Sequence, residues 1–171
     1  MITQLRNPQT QVYERFKSEV LSDWFPWNYF KGDGASPEYY SHTILTRPGY
    51  NNILCPVQSS DWFTHANEVL TEIFHHNDIS VKTVYRINCN AVHHTDGKAS
   101  PIHRDHDFPT KNLLVYLTAA GGKTNVYAGD VMDSHDPKED DIITFGGLHN
   151  MNQPEPGSRR VVLVCTYEPT G

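Results

Sequence analysis

Histidine and aspartate occur two positions apart at three places in this chain, a spacing that suits the binding of a metal ion. The three pairs are His76 with Asp78, His94 with Asp96, and His103 with Asp105. In an extended segment, residues two apart point to the same side, so each pair offers a ring nitrogen and a carboxylate oxygen to one ion. A histidine from elsewhere in the chain would complete a facial set of three ligands and leave the other coordination positions open.

The residues around each pair distinguish the three, because so short a motif also arises by chance. His76 lies where a predicted helix ends, and Asp78 is typical of a turn or a cap. The pair at His94 runs into Gly97 and is typical of a turn between strands. His103 and Asp105 precede the apolar run 113–117, which places them on a loop at the edge of a sheet. We therefore predict that His103 and Asp105 are the metal pair.

Two further residues complete the predicted site. His149 follows an apolar stretch and two glycines, which permit close approach of the backbone to a bound group, and it is the predicted third ligand. Arg160 directly precedes the apolar segment 161–164, where a buried guanidinium needs a partner. Its planar fork suits a carboxylate. Arg159 offers the same chemistry one residue earlier, and solvated arginines at the start of a strand are the ordinary alternative.

Two helices followed by a run of short strands are predicted to position these residues. Apolar spacing predicts a helix over 10–22 with Thr10 as its N-cap, and a second helix, capped by Ser60 or Asp61, with an apolar stripe over 63–74. Alternation and β-branched residues predict strands over 81–89, 113–117, 124–127, 142–145 and 161–166, with an earlier extended segment at 39–46. This order favours a β-sandwich or barrel supported by helices.

Composition restricts the class of protein. The chain has 171 residues, which suits one domain, and its net charge of −6 argues against nucleic acid as a partner. No apolar run is long enough to span a membrane, and the first residues do not resemble a signal peptide. The three cysteines, Cys55, Cys89 and Cys165, are predicted to be reduced, buried thiols of a cytoplasmic protein.

With these residues in order, the chain resembles the Fe(II)- and 2-oxoglutarate-dependent dioxygenases, and among them the small prolyl-4-hydroxylase-like enzymes. The resemblance covers roughly 85–167. It rests on a strand at 85–90, the His103-x-Asp105 pair, a strand ending at 115–117, the Gly-Gly-x-Thr segment 121–124, and Phe-Gly-Gly-Leu-His at 145–149. It implies a mainly β fold with flanking helices, a double-stranded β-helix (jelly roll, cupin-like), in a single domain with helical support over 1–78 and the core over 79–168.

The resemblance also implies a reaction and roles for residues. His103, Asp105 and His149 would bind Fe(II), while Arg160 and the Tyr116 hydroxyl would bind the distal carboxylate of the cosubstrate 2-oxoglutarate. With dioxygen, such an enzyme decarboxylates 2-oxoglutarate to succinate and hydroxylates a substrate C–H bond. The further candidate contacts to cosubstrate or substrate are Asn90, Arg86, Leu114, Val162 and Arg159.

The resemblance leaves three questions open. Family spacing from the distal histidine is often nearer ten residues, which selects Arg159, whereas a position directly before the strand selects Arg160. The substrate is a peptide or protein side chain, such as prolyl, or a free small molecule; nucleic acid is disfavoured further because Thr166 stands where a second arginine would fall. The alternative class is a cupin-like jelly roll that binds a metal or sugar without oxygenase activity. The oligomeric state is not predicted.

Overall fold

The computed structural model describes residues 1–32, 36–49, 54–95 and 99–170 of the chain. Two helices lie in the first half, α1 (Gln11–Val20) and α2 (Phe63–His76). The strands are β1 (Thr3–Leu5), β2 (Asn28–Phe30), β3 (Tyr39–Thr46), β4 (Val57–Gln58), β5 (Val81–His93), β6 (Lys111–Tyr116), β7 (Thr124–Ala128), β8 (Val131–His135), β9 (Ile142–Gly146), β10 (Leu148–Met151) and β11 (Arg159–Pro169).

The strands form two antiparallel sheets. The large sheet has the order β1-β9-β6-β11-β5-β3-β2, with β4 beside β3, and the small sheet has the order β10-β7-β8. A backbone bridge between His103 and His149 joins the connection between β5 and β6 to strand β10 of the small sheet. Side chains of both sheets enclose one cavity. This is the predicted double-stranded β-helix, mainly β with flanking helices.

The large sheet is buried on both faces. Leu163 and Cys165 belong to the core that packs against the helices, together with Phe16 of α1 and Ile73 of α2. Successive residues of a strand point to opposite faces, so the alternate residues of β11, such as Val162, lie on the cavity side with a second apolar cluster. Burial on both faces explains why these strands are continuous apolar runs in the sequence.

The helix predictions hold for α1 and fail at one detail of α2. The Thr10 hydroxyl accepts a hydrogen bond from the Tyr13 N–H at 3.2 Å, so Thr10 is the N-cap, as predicted. Neither Ser60 nor Asp61 caps α2, because the N-cap position is Trp62, which makes no side-chain cap. The Ser60 hydroxyl instead accepts from the Trp62 N–H at 3.1 Å, in the turn before the helix.

The predicted strands are present, and β5 and β11 run several residues further than their patterns indicate. The structure adds the short strands β1, β2, β4, β8 and β10, whose sequences carry little apolar alternation. The first 78 residues therefore supply strands β1 to β4 to the large sheet as well as both helices; Thr3 of β1, for example, pairs with Thr144 of β9.

The cysteine prediction is wrong for one of the three residues. Cys89 and Cys165 are buried under the helices, but Cys55 is exposed, in the segment that follows β3. None of the helices that the structure describes is long and apolar enough to cross a membrane.

Candidate metal and cosubstrate site

The predicted metal ligands lie together. One ligand atom each from His103, Asp105 and His149 falls within 4.8 Å of the others, and no other such group of three is found in the described part of the chain. Backbone pairing places the two histidines, because the His103 N–H donates to the His149 carbonyl at 3.0 Å and the His149 N–H donates back at 2.9 Å. The ring centroids lie 4.5 Å apart.

Backbone carbonyls orient both imidazole rings. The His103 Nδ1 lies 2.9 Å from the Pro101 carbonyl oxygen, and the His149 Nδ1 lies 3.2 Å from that of Gly147. A carbonyl can only accept, so Nδ1 carries the proton on each ring and Nε2 keeps its lone pair for a metal. Gly147 has a φ of +91°, a conformation that favours glycine. The glycines before His149 in the sequence thus mark a turn that the site requires.

Charge neighbours keep Asp105 ionised. Its side chain is only 9% exposed, and Oδ1 accepts a hydrogen bond from Arg86 Nη1 at 2.7 Å. Burial raises the pKa of the carboxyl, but Arg86, the two histidines and Arg47 together lower that pKa below its ordinary value. Burial lowers the pKa of His149 despite the opposing effect of Asp105, so that ring is neutral near pH 7. Both groups are therefore in the forms that bind a metal ion.

A cavity of about 420 Å³ lies beside the ligands, between the two sheets. That volume is in the range of small-molecule sites. Leu114 and Val162 form part of its apolar wall, and Arg86 and Asn90 of β5 also line it, so four of the five candidate contacts border the cavity. Arg159 is exposed and lies outside the lining.

Arg160 lies in the lining and is almost fully buried, with 3% of its surface exposed. Its Nη2 donates to the Thr124 hydroxyl at 3.2 Å, and its Nη1 lies 3.2 Å from the Met151 sulfur. Within the described residues, Nε has no hydrogen-bond partner and the guanidinium has no carboxylate partner. A buried cation without an anion is costly, so the position is suited to a carboxylate that arrives with a ligand.

Tyr116 lies behind this position. Its ring is fully buried, with its centroid 5.1 Å from the Arg160 Cζ, and its hydroxyl lies 2.8 Å from the Thr124 hydroxyl. Burial raises the pKa of Tyr116, so the hydroxyl stays protonated. Thr124 lines the cavity and connects Tyr116 and Arg160, whereas Tyr116 itself lies outside the lining. Sequence reasoning did not single out Thr124, although the Gly-Gly-x-Thr segment contained it.

Of the other two histidine–aspartate pairs, the described residues His76, Asp78 and His94 are not part of this cluster. The His94 Nδ1 lies 2.8 Å from the Pro154 carbonyl oxygen, and Asp96 lies outside the described residues. Asp78 occupies the turn after α2 with a φ of 54°.

Two residues near Asp105 were not assigned from the sequence. Arg47 donates to the Asp105 backbone carbonyl at 2.7 Å. His106 is buried, with its Nε2 2.8 Å from the Thr166 hydroxyl. The loop that carries Asp105 is therefore held on two sides. Neither contact has a sequence signal, because the two contacts join positions 58 and 60 residues apart.

No family model matches this chain, and no curated protein matches it. Solved structures do. An oxidoreductase of the 2-oxoglutarate–Fe(II) oxygenase family from Burkholderia pseudomallei superposes with a TM-score of 0.70 at 16% identity, over 98% of this chain and 84% of that one. A prolyl-4-hydroxylase from Pseudomonas putida gives 0.59 at 12% identity, over 98% and 92%. The α-ketoglutarate-dependent epimerase SnoN of nogalamycin biosynthesis gives 0.66 at 10% identity, over 98% and 77%.

The chain therefore has the double-stranded β-helix fold of the 2-oxoglutarate–Fe(II) oxygenase structures. The structures that share this fold include a prolyl-4-hydroxylase and an epimerase, so the fold by itself does not specify one activity.

Proposed function

We propose that this protein is a non-haem Fe(II)- and 2-oxoglutarate-dependent dioxygenase that hydroxylates a substrate C–H bond. The observation that carries the proposal is the buried Arg160 guanidinium, which has no carboxylate partner in the described part of the chain and lines the same cavity as the metal cluster. A dicarboxylate that binds a metal through one end needs a cation for its other end. The fold supports the same conclusion.

Each group in the cavity has a role in this reaction. His103, Asp105 and His149 would hold Fe(II), and the bound iron supplies the site at which dioxygen and 2-oxoglutarate react. Arg160 would bind the distal carboxylate of 2-oxoglutarate, with Thr124 and Tyr116 orienting it. The reaction consumes 2-oxoglutarate, dioxygen and a substrate C–H, and yields succinate, carbon dioxide and C–OH.

The apolar wall of the cavity serves the same chemistry. Leu114 and Val162 line the cavity, and their apolar side chains would keep water from the reacting groups, which protects an oxidising site from side reactions.

For the substrate, we propose a prolyl residue in an extended peptide. Aromatic side chains lie at the cavity, where Tyr39 belongs to the lining and Phe30 stacks on it at 5.1 Å between centroids. Aromatic surfaces suit extended, proline-rich peptides. The likeness to a prolyl hydroxylase from Trichoplax adhaerens in complex with a peptide supports this choice. The net charge of −6 and Thr166 argue against nucleic acid.

The decisive experiment adds Fe(II) and then 2-oxoglutarate without oxygen and follows the visible spectrum. We expect the weak charge-transfer band of the iron–cosubstrate chelate, and succinate once air is admitted. Asp105→Ala should give neither, and Arg160→Ala should give the band only at much higher 2-oxoglutarate concentration. Metal binding without the charge-transfer band and without succinate would contradict the oxygenase proposal. It would favour the cupin-like alternative, in which Arg160 has no ligand carboxylate to bind.

Substrate class is tested separately, by mass spectrometry on proline-containing peptides and on free small molecules. Gain of one oxygen atom on a prolyl residue supports the peptide substrate. Oxidation of free small molecules alone would overturn that part of the proposal and leave the oxygenase chemistry intact.

A further inference from the structure

The two oxygens of the Asp105 carboxylate lie in different surroundings. Oδ1 accepts a hydrogen bond from Arg86 Nη1 at 2.7 Å, and the two side chains are 9% and 23% exposed. Oδ2 lies 3.5 Å from His149 Nε2, on the side of the metal cluster. A charge-assisted bond of this length, shielded from water, holds its acceptor firmly. One oxygen is therefore directed to the guanidinium and the other to the metal ligands.

The strand register of the large sheet places the Arg86 side chain beside Asp105. Arg86 pairs with Thr166 of β11, and the register then shifts so that Tyr167 pairs with Val84, which leaves Tyr85 as the extra residue of a β-bulge. Bulges next to active sites redirect a neighbouring side chain. Arg86 lies directly after the bulge and lines the cavity.

We propose that Arg86 is a positioning residue that limits Asp105 to one metal-binding oxygen. This inference rests on the proposed function, because its purpose is to preserve the coordination positions that 2-oxoglutarate and dioxygen need. A carboxylate that bound through both oxygens would occupy one of those positions. Loss of Arg86 therefore affects cosubstrate chelation more than metal binding itself.

The experiment uses Co(II) as a redox-inert probe of the metal site and 2-oxoglutarate as the cosubstrate, with affinities and visible spectra measured by titration. Arg86→Met keeps the length of the side chain and removes its charge and donors. We expect an altered Co(II) spectrum and a loss of 2-oxoglutarate affinity on the order of tenfold or more, clearly larger than the loss of Co(II) affinity. Arg86→Lys restores a cation and should recover most of that affinity.

Arg104→Met is the matched control, because Arg104 is an exposed arginine beside Asp105, and it should behave as the parent protein. Two results would overturn the inference: an Arg86→Met protein with the parent's spectrum and 2-oxoglutarate affinity, or equal losses of Co(II) and 2-oxoglutarate affinity that Arg86→Lys does not rescue. If the parent protein loaded with Co(II) does not bind 2-oxoglutarate, the proposed function itself fails. Failure of the proposed function is therefore distinguishable from failure of the inference about Arg86.

Discussion

At the scale of single residues, the site depends on which face of a strand each side chain occupies. Arg159 and Arg160 are adjacent and chemically identical, but they point to opposite faces of β11. Arg160 is buried at the cavity, while Arg159 is exposed and pairs through its backbone with His93. Only the buried guanidinium gains a strong interaction from a ligand carboxylate, because water screens the other.

We expect Arg160→Ala to weaken 2-oxoglutarate binding to the metal-loaded protein on the order of 100-fold, since a buried charge-assisted contact is lost. Arg159→Ala should change the dissociation constant by no more than about twofold. Calorimetric titration of both variants measures the difference. A larger loss in Arg159→Ala would move the assignment by one residue.

The choice among the histidine–aspartate pairs is also tested by single substitutions. His94→Ala should bind Co(II) as the parent does, because the His94 ring contacts the Pro154 carbonyl and not the metal cluster. His149→Ala should lose Co(II) affinity by on the order of 100-fold or more, since it removes one of the three proposed ligands. Loss of Co(II) affinity in His94→Ala but not in His149→Ala would show that His103 and Asp105 are not the metal pair.

At the scale of elements, the connections between strands hold the site as much as the strands do. The connection between β6 and β7 contains Gly122, whose φ is +78°. A Cβ at Gly122 would lie 2.9 Å from the Asn152 carbonyl oxygen and 3.3 Å from the Arg160 Cδ. The absence of a side chain there lets the loop close over the buried arginine.

Gly122→Ala should therefore destabilise the protein and weaken 2-oxoglutarate binding together. Gly157→Ala is the matched control, because Gly157 has the same φ but nothing within 4 Å of a Cβ. We expect a loss of about 1 kcal/mol in the free energy of unfolding for Gly157→Ala and about 2–3 kcal/mol for Gly122→Ala. Denaturant unfolding measures both. Equal losses, with cosubstrate binding unchanged in both variants, would contradict the role of the close contact.

At the scale of the whole molecule, the large sheet separates two environments. Its helix side is apolar and contains Cys89 and Cys165, and its cavity side carries the charges of the site. Two histidines, the buried His106 and the half-buried His149, lie on or near the cavity side. Burial of the two thiols and burial of the histidine rings each have a consequence that solution measurements can test.

The thiols should react in two classes. Burial raises the pKa of Cys89 and of Cys165 well above the ordinary thiol value, so both are protonated and shielded. A thiol reagent should label one cysteine, Cys55, in the folded protein and all three after denaturation. Cys55→Ser should abolish labelling of the folded protein. Rapid native labelling of Cys89 or Cys165 would show that the helix side opens.

The metal-free protein should lose stability in mild acid. Burial is the largest cause that lowers the pKa of His106 and of His149 below the ordinary value of 6.5. The unfolded chain therefore binds more protons than the folded chain as the pH falls through 6.5, and the free energy of unfolding declines. Urea unfolding of chelator-treated protein between about pH 7.5 and pH 5.5 measures the decline. His106→Gln should make the decline with falling pH shallower, because His149 still contributes to it. A parent protein whose free energy of unfolding does not change over this pH range would contradict the prediction.

The sequence alone determined the residue types of the site and their order. Local spacing was enough to identify the strands that carry Leu114 and Val162, because burial on both faces requires continuous apolar runs. The glycines before His149 and the position of Arg160 before a core strand are also local features. The short strands β8 and β10 were missed, because few of their residues alternate between apolar and polar.

Tertiary structure decided which of these groups act together. The ion pair between Arg86 and Asp105, the contact of Thr124 with Arg160, and the burial of Arg160 instead of Arg159 depend on strand register and on one β-bulge. A shift of one residue in register would turn every side chain of a strand to the other face. The sequence carries local period and residue type, whereas distances between side chains remote along the chain exist only once the sheets have paired.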